Sequence, residues 1–230
     1  MIDFFKDAVF FGVLISLSSY LLGMFLKKKF KSPIFNPLLV AIVLTILFLL
    51  VFRIDYTSYN EGAKYLSYLL TPATVCLAIP LYEQFDKLRK NAAAVMIGIL
   101  TGVVTSLGSI LILSYIFRLD HAEYVTLLPK SITTAIGMGV TEELGGYVAI
   151  TVAIIIITGI LGNIIAELVC KVFRITEPVA KGVGIGSASH AIGTTKAMEL
   201  GETEGAMSSL SIVVSGIMTV IFAGIFANFL

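Results

Sequence analysis

The chain has 230 residues, of which 57% are hydrophobic and only 13% charged, with a formal net charge of +1 at pH 7. Soluble domains carry about a quarter charged residues, so this composition, with a mean hydropathy of +0.98, excludes an ordinary soluble domain. The small net charge also excludes a nucleic-acid partner, because no basic face can be assembled from so few spare cations.

Apolar runs occupy 4–26, 34–52, 65–82, 91–117, 147–170 and 206–229. As a helix the first would be about 35 Å long, enough to span the hydrocarbon. It ends in Lys27, Lys28 and Lys29 instead of a small-residue cleavage site, so it is expected to remain as a span and not to be a signal peptide. Asn36-Pro37 opens the second run, and Thr71-Pro72 with Pro80 breaks or kinks the third. Such breaks survive in a bilayer only where neighbours satisfy the freed backbone groups, so they mark a lined cavity or simple kinks.

Basic residues cluster in three connections: Lys27 to Lys31, then Lys87, Arg89 and Lys90, then Lys171, Arg174 and Lys181. The positive-inside rule puts all three in the cytoplasm and both termini outside a bacterial cytoplasmic membrane. Run 91–117 then ends outside, while 147–170 must start outside. The segment 123–146 therefore has to enter and return, and by the same logic so does 183–205. The expected fold is an all-α integral membrane protein, one domain over 1–230, a polytopic bundle with discontinuous or re-entrant helices.

Those two segments resemble each other. Ala135-Ile136-Gly137 recurs as Ala191-Ile192-Gly193, and Glu143-Leu144-Gly145 as Glu199-Leu200-Gly201, both offset by 56 positions; Thr158-Gly159-Ile160 is matched by Ser215-Gly216-Ile217. Consecutive units of hairpin plus span point in opposite directions, which is the inverted-repeat plan of secondary transporters. Fourteen of the 20 glycines fall after residue 130, as turns and close approaches at membrane depth require.

The polar residues of the two segments are the site candidates. Pro129, placed as a first helical residue, would open a half-helix whose N-terminus attracts anions. It is followed by Lys130, Ser131, Thr133 and Thr134. The matching segment offers Ser189, His190, Thr194, Thr195 and Lys196. Together they suit a small carboxylate. Lys130 has an alternative as an interfacial snorkelling side chain, and Lys196 as an i+3 partner of Glu199. His190 is a candidate for proton coupling or a structural hydrogen-bonded histidine. Glu143 and Glu199 are further candidates for proton or sodium coupling, whereas Glu142, Glu202 and Glu204 read as loop charges in water. Asn36, Thr71, Pro72, Pro80, Gly137 and Gly193 are the helix breaks expected to line the site. Protease, hydrolase-elbow, P-loop and metal-spacing motifs are absent, so no enzyme, metal or cofactor is expected. Cys76 and Cys170 lack metal or redox spacing.

The stretches "NPLL" (36–39), "LLTPATVCLAIPLY" (69–82), "LPKSITTAIG" (128–137), "EELGG" (142–146), "TGILGN" (158–163) and "GSASHAIGTTKAMELGETEGAMSSLS" (186–211) resemble the LrgB/CidB antiholin-like family, over nearly the whole chain. Members often have proline where this chain has Ala135. The family takes its name from holin-like modulation of murein hydrolases and cell lysis, and it is similar to the plastid glycolate/glycerate translocator. The resemblance implies a transporter or facilitator of small monocarboxylates (pyruvate, glycolate or glycerate type) working by alternating access. The alternative is a holin/antiholin-like pore or lysis modulator. It also implies a possible LrgA-type membrane partner, and the short chain suggests a homodimer.

Overall fold

The structure is a computed structural model that describes residues 10–30, 35–69, 72, 75, 76 and 78–230. It divides into two compact units, Met1–Cys76 and Leu77–Leu230. Helices are its only regular elements among the described residues.

The first unit contains α1 (Phe11–Phe30), α2 (Pro37–Val51) and α3 (Tyr56–Ser67). Asn36 caps α2: its Oδ1 accepts from the amides of Leu38 at 2.9 Å and Leu39 at 3.2 Å, while Pro37 occupies the first turn, where its missing N–H costs nothing. Asp55 caps α3 in the same way, through the Ser58 amide at 2.9 Å. Gly12 lets α3 approach α1, since a side chain there would strike the Tyr59 carbonyl, and Ser16 shares a 2.7 Å hydrogen bond with the Tyr59 hydroxyl. With 15 residues, α2 is about 22 Å long, shorter than a hydrocarbon core of about 30 Å. The run at 65–82 is not one helix: α3 ends at Ser67 and α4 (Ala78–Glu83) begins eleven positions later. Thr71 lies outside the described residues.

The second unit continues from α4 with α5 (Phe85–Phe117), α6 (His121–Leu127), α7 (Thr134–Glu143), α8 (Val148–Val172), α9 (Pro178–Leu200) and α10 (Glu202–Phe226), closed by a 3-10 turn at Ala227–Phe229. Among the described residues, four helices are long and apolar enough to cross a membrane: Phe11–Phe30, Arg89–Phe117, Val148–Val172 and Glu202–Phe229. Their outward faces stay apolar, with Ile97, Leu113 and Ile116 on α5, Ile157 and Leu161 on α8, and Ile217 and Ile221 on α10 all exposed. Surfaces of this kind belong against lipid.

Helices α5 and α10 run in the same direction. At one end Lys87 Nζ donates to Thr203 Oγ1 at 2.7 Å; at the other, the hydroxyls of Tyr115 and Tyr124 donate to the Phe229 and Phe226 carbonyls. Between them Val95, Ile99, Val103, Leu107 and Ile110 form one buried stripe on α5, packed with Ala206, Met207, Ala223 and Ala227. The helical repeat dictates that spacing of four and three residues. Lipid is as apolar as these side chains, so close packing holds them together more than burial does.

Helices α6 and α7 form a hairpin that enters from the C-terminal end of α5 and returns. A capping box starts α6, with Asp120 Oδ1 accepting from the Glu123 amide at 2.8 Å and Glu123 Oε2 from the Asp120 amide at 3.0 Å. The chain turns over 128–133. Thr126 Oγ1 accepts from the Tyr147 amide at 2.7 Å, Thr141 bonds Thr151 at 2.9 Å, and Gly137 faces Ile155. Partners 141 and then 137 therefore descend α8 as α8 itself advances from 151 to 155, which makes α7 antiparallel to it. The half-helix begins at Thr134, with Thr133 as its extended N-cap; Pro129 lies in the preceding turn, a correction to its expected place as first helical residue.

Helix α9 is also a hairpin. His190, with φ 42° and ψ −143°, breaks it into two arms. The first arm runs along α5, with Val183 against Gly98 and Ser187 against Gly102. At the tip, His190 Nε2 meets the Ile155 carbonyl at 3.0 Å. The second arm returns along α8: Asn163 Nδ2 donates to the Ile192 carbonyl and to Thr195 Oγ1, and Lys196 pairs with Glu167 at 3.2 Å. Small residues permit the close contacts, as side chains on Gly159 or Gly162 would collide with His190 or Ser189. The boundaries differ from 183–205 and 206–229, because both arms are helical and α10 begins at Glu202. Glu204 is a further correction: it is buried, 4.0 Å from Lys181, not a loop charge in water. Acidic residues in the first turn of α10 oppose the positive end of the helix dipole.

Candidate functional site

A cavity of about 670 Å³ lies within the second unit, between α5, the turn at 130–131 and the first arm of α9. Val183 beside Gly98 and Ser187 beside Gly102 align that arm with α5. This register places Asn91 and Glu177 at one end of the cavity and Ser106, Ser109, Lys130 and Ser131 at the other. The polar end is deep. Ser131 Oγ lies 3.3 Å from Ser106 Oγ, and Ser106 is eleven residues before the end of α5 at Phe117, about 17 Å along the axis. Beyond it Leu107, Ile110, Tyr124, Val125 and Leu128 are tightly packed and buried. The route to the polar end therefore runs from the Asn91 and Glu177 end.

Lys130 is mostly buried and donates from Nζ to Ser131 Oγ at 2.9 Å. It makes no ion pair with a carboxylate among the described residues, in contrast to Lys171, Lys181 and Lys196. An ammonium taken out of water without a counter-charge is costly, which makes Lys130 the group in the cavity most in need of an anion.

The candidates of the two hairpins are not gathered around one cavity. Lys130 and Ser131 line it; Thr133 and Thr134 stand at the start of α7, partly exposed, and do not. Ser189 is buried against Gly162 and Gly193. Thr194 is committed at both of its roles, donating to the His190 carbonyl at 2.9 Å and bonding Ser208 at 2.7 Å. His190 is buried with its ring over Gly159, holding the Ile155 carbonyl. Thr195 is bonded to Asn163, and Lys196 sits between Glu167 and Glu199 at 3.2 and 3.5 Å. Glu143 and Glu199 are exposed at the ends of the returning arms.

Of the helix breaks, Gly137 is buried against Ile155, and Gly193 against Ser189 in the second hairpin. Asn36 is a helix cap in the first unit, where Pro72 is exposed. Pro80 lies in α4, and its side chain lies outside the described residues. Neither Gly137 nor Gly193 is among the described residues that line the cavity.

Sequence reasoning missed the wall supplied by α5. Thr101, Thr105 and Ser109 recur every four residues, and with Ser106 they put hydroxyls on one face of a long apolar helix. The spacing was readable, but hydroxyls in an apolar run also serve helix packing. Only the approach of Lys130 distinguishes the two uses.

The family model described as the LrgB-like family matches residues 16–229. Proteins named antiholin-like protein LrgB from Bacillus mycoides (strain KBAB4), Bacillus cereus (strain B4264) and Bacillus anthracis (strain CDC 684 / NRRL 3495) are each 38% identical to the chain over 222 residues, covering 96% of both sequences. No solved structure matches it.

Proposed function

The chain belongs to the LrgB-like family, and on that premise we propose that it is an antiholin-like protein of the bacterial cytoplasmic membrane, modulating a holin-like partner and thereby murein hydrolase activity and lysis. The observation behind this is its 38% identity to antiholin-like relatives across 96% of both chains. Four helices apolar enough to cross a bilayer make it a multi-pass membrane protein. The proposal takes an LrgA-type membrane protein as partner, a homodimer as the working unit, and both termini outside. Its test is detergent-induced autolysis of cells with and without the chain. Expression should slow the fall in turbidity and weaken murein hydrolase bands on a zymogram; unchanged curves and bands would count against it.

A second reading is favoured by the cavity. It is a facilitator of small monocarboxylates of the pyruvate, glycolate or glycerate type, with the two hairpins as inverted repeats in an alternating-access cycle. Its support is Lys130, deep in a hydroxyl-lined cavity that reaches one end of the bundle. Helix breaks that enter from opposite ends and meet the middle of α8 suit such a cycle. In this reading Ser189, His190 and Thr194 hold the tip of the second hairpin, with His190, Glu143 and Glu199 as candidates for ion coupling. A carrier gives saturable, competable uptake into proteoliposomes, whereas a pore gives flux linear in concentration.

A further inference from the structure

We propose that the deep end of the cavity is a binding site for a small, singly charged oxyanion, with its charge met by Lys130 and one of its oxygens by a hydroxyl of the Ser131–Ser106 pair. Ser187 stands on the opposite wall. The site draws on the first hairpin, α5 and the first arm of α9, and on none of the polar groups of the second hairpin's returning arm. The inference rests on the carrier reading of this cavity and replaces its symmetric pair of lysines with a one-sided site.

Three observations support it. First, Lys130 has one hydrogen-bond acceptor, Ser131 Oγ, for three ammonium hydrogens. Two donors are left to seek acceptors in a space lined by hydroxyls. Second, the hydroxyl ladder on α5 ends where Lys130 arrives: Ser106 touches Ser131, leaving one hydroxyl hydrogen of that pair for a ligand, while Ser109 donates to the Ser106 carbonyl and only borders the space. A carboxylate or similar group accepts from both kinds of donor, and ammonium-to-oxyanion bonds are the stronger. Third, the carboxylate that lines the cavity, Glu177, stands at its other end. Glu177 precedes Ser187 by ten residues of sequence, about 15 Å along a helix, so it does not neutralise the lysine.

The charge count sets the ligand class. One ammonium balances one negative charge, while a dianion would bring a second, uncompensated charge into a low-dielectric space. The site should accept acetate or nitrate and reject succinate or sulfate. Lys196 cannot supply the missing charge, since Glu167 and Glu199 already hold it.

Equilibrium binding of radiolabelled acetate to the purified full-length chain tests this. Saturable binding is expected, displaced by unlabelled acetate and nitrate but not by succinate or sulfate at the same concentration. Lys130→Met should weaken it by about tenfold or more, Lys130→Arg should retain it, and Ser106→Ala should weaken it about threefold, in line with loss of a charged or a neutral hydrogen bond. Lys196→Met should leave it unchanged. Equal competition by dianions in the wild-type chain would overturn the proposal whether or not the variants fold, as would wild-type affinity in a monodisperse Lys130→Met protein. Absence of any saturable binding would overturn it too. Binding with these preferences but without proteoliposome uptake removes the carrier and keeps the site; saturable uptake indifferent to Lys130→Met removes the site and keeps the carrier.

Discussion

The contact between the first arm of α9 and α10 can be tested with two alanines placed two residues apart. Gly186 lies against the backbone of Ser208: a Cβ there would stand 2.8 Å from the Ser208 Cα and 2.9 Å from its carbonyl carbon. Carbon atoms rest about 3.5–4.0 Å apart, so α10 would have to retreat by roughly 1 Å. Overpacking of this kind costs about 1–3 kcal/mol, partly offset by the gain of about 1 kcal/mol for alanine over glycine in a helix. Gly186→Ala should therefore destabilise the protein by up to about 2 kcal/mol. Gly184 faces the cavity, and a Cβ there meets nothing within 4 Å, so Gly184→Ala keeps the helix gain and should stabilise by about 0.5–1 kcal/mol. The helix gain is common to both, so the pair should differ by the overpacking cost, roughly 1–3 kcal/mol. That corresponds to about 2–12 °C in Tm for a chain of this size. With no Trp in the sequence, far-UV circular dichroism in mild detergent is the suitable probe of melting. If Gly186→Ala melts at or above Gly184→Ala, the hairpin does not pack on α10 as described.

Other substitutions have equally definite signs. His190 is held at a positive φ that glycine adopts freely, and such strain costs about 1–3 kcal/mol. His190→Ala keeps the strain and loses the bond to Ile155, so it should melt below His190→Gly; the reverse order would mean that the break is not strained. A side chain on Gly159 would meet the His190 ring at 2.8 Å. Gly159→Ala should accordingly destabilise by about 1–3 kcal/mol, and the added His190→Gly should recover part of that loss in a double-mutant cycle, the Ile192 Cβ at 2.9 Å remaining in the way. Additive effects would separate the two positions. Asn36→Ala removes the cap of α2 and should cost about 1 kcal/mol with no effect on acetate binding; a matching loss of binding would tie Asn36 to the site.

Much of this architecture was legible in the sequence because the bilayer leaves few options. The positive-inside rule puts Lys87 and Lys171 on one side, so three apolar segments between them led to the expectation that 123–146 turns back, and its repeat relation carried that expectation to 183–205. Helix boundaries were less legible: polarity made 201–205 look like a loop, whereas Glu202 and Glu204 begin α10, one at its dipole and the other beside Lys181. The site was legible by half. Lys130 and Ser131 stood out as polar groups beside a break, but Thr194, Thr195 and Lys196 looked the same in sequence, and only their partners Ser208, Asn163 and Glu167 reveal them as structural. Those partners lie 14 to 32 positions away, too far for a local pattern to expose.

The position of Lys130 underlies both the cavity and its proposed ligand, and a disulfide cross-link in native membranes tests it most directly. In a chain with Cys76→Ser and Cys170→Ser, Ser106→Cys and Ser131→Cys should join on mild oxidation, since their Oγ atoms are 3.3 Å apart and disulfides need Cβ atoms within about 4.5 Å. Ser114→Cys lies eight residues closer to the end of α5, about 12 Å away, and should not join Ser131→Cys. Cross-linking of 131 to 106 but not to 114 places the turn at mid-depth, with Lys130 in the cavity. Cross-linking to 114 instead of 106 would put that turn near the surface and remove the lysine from the site.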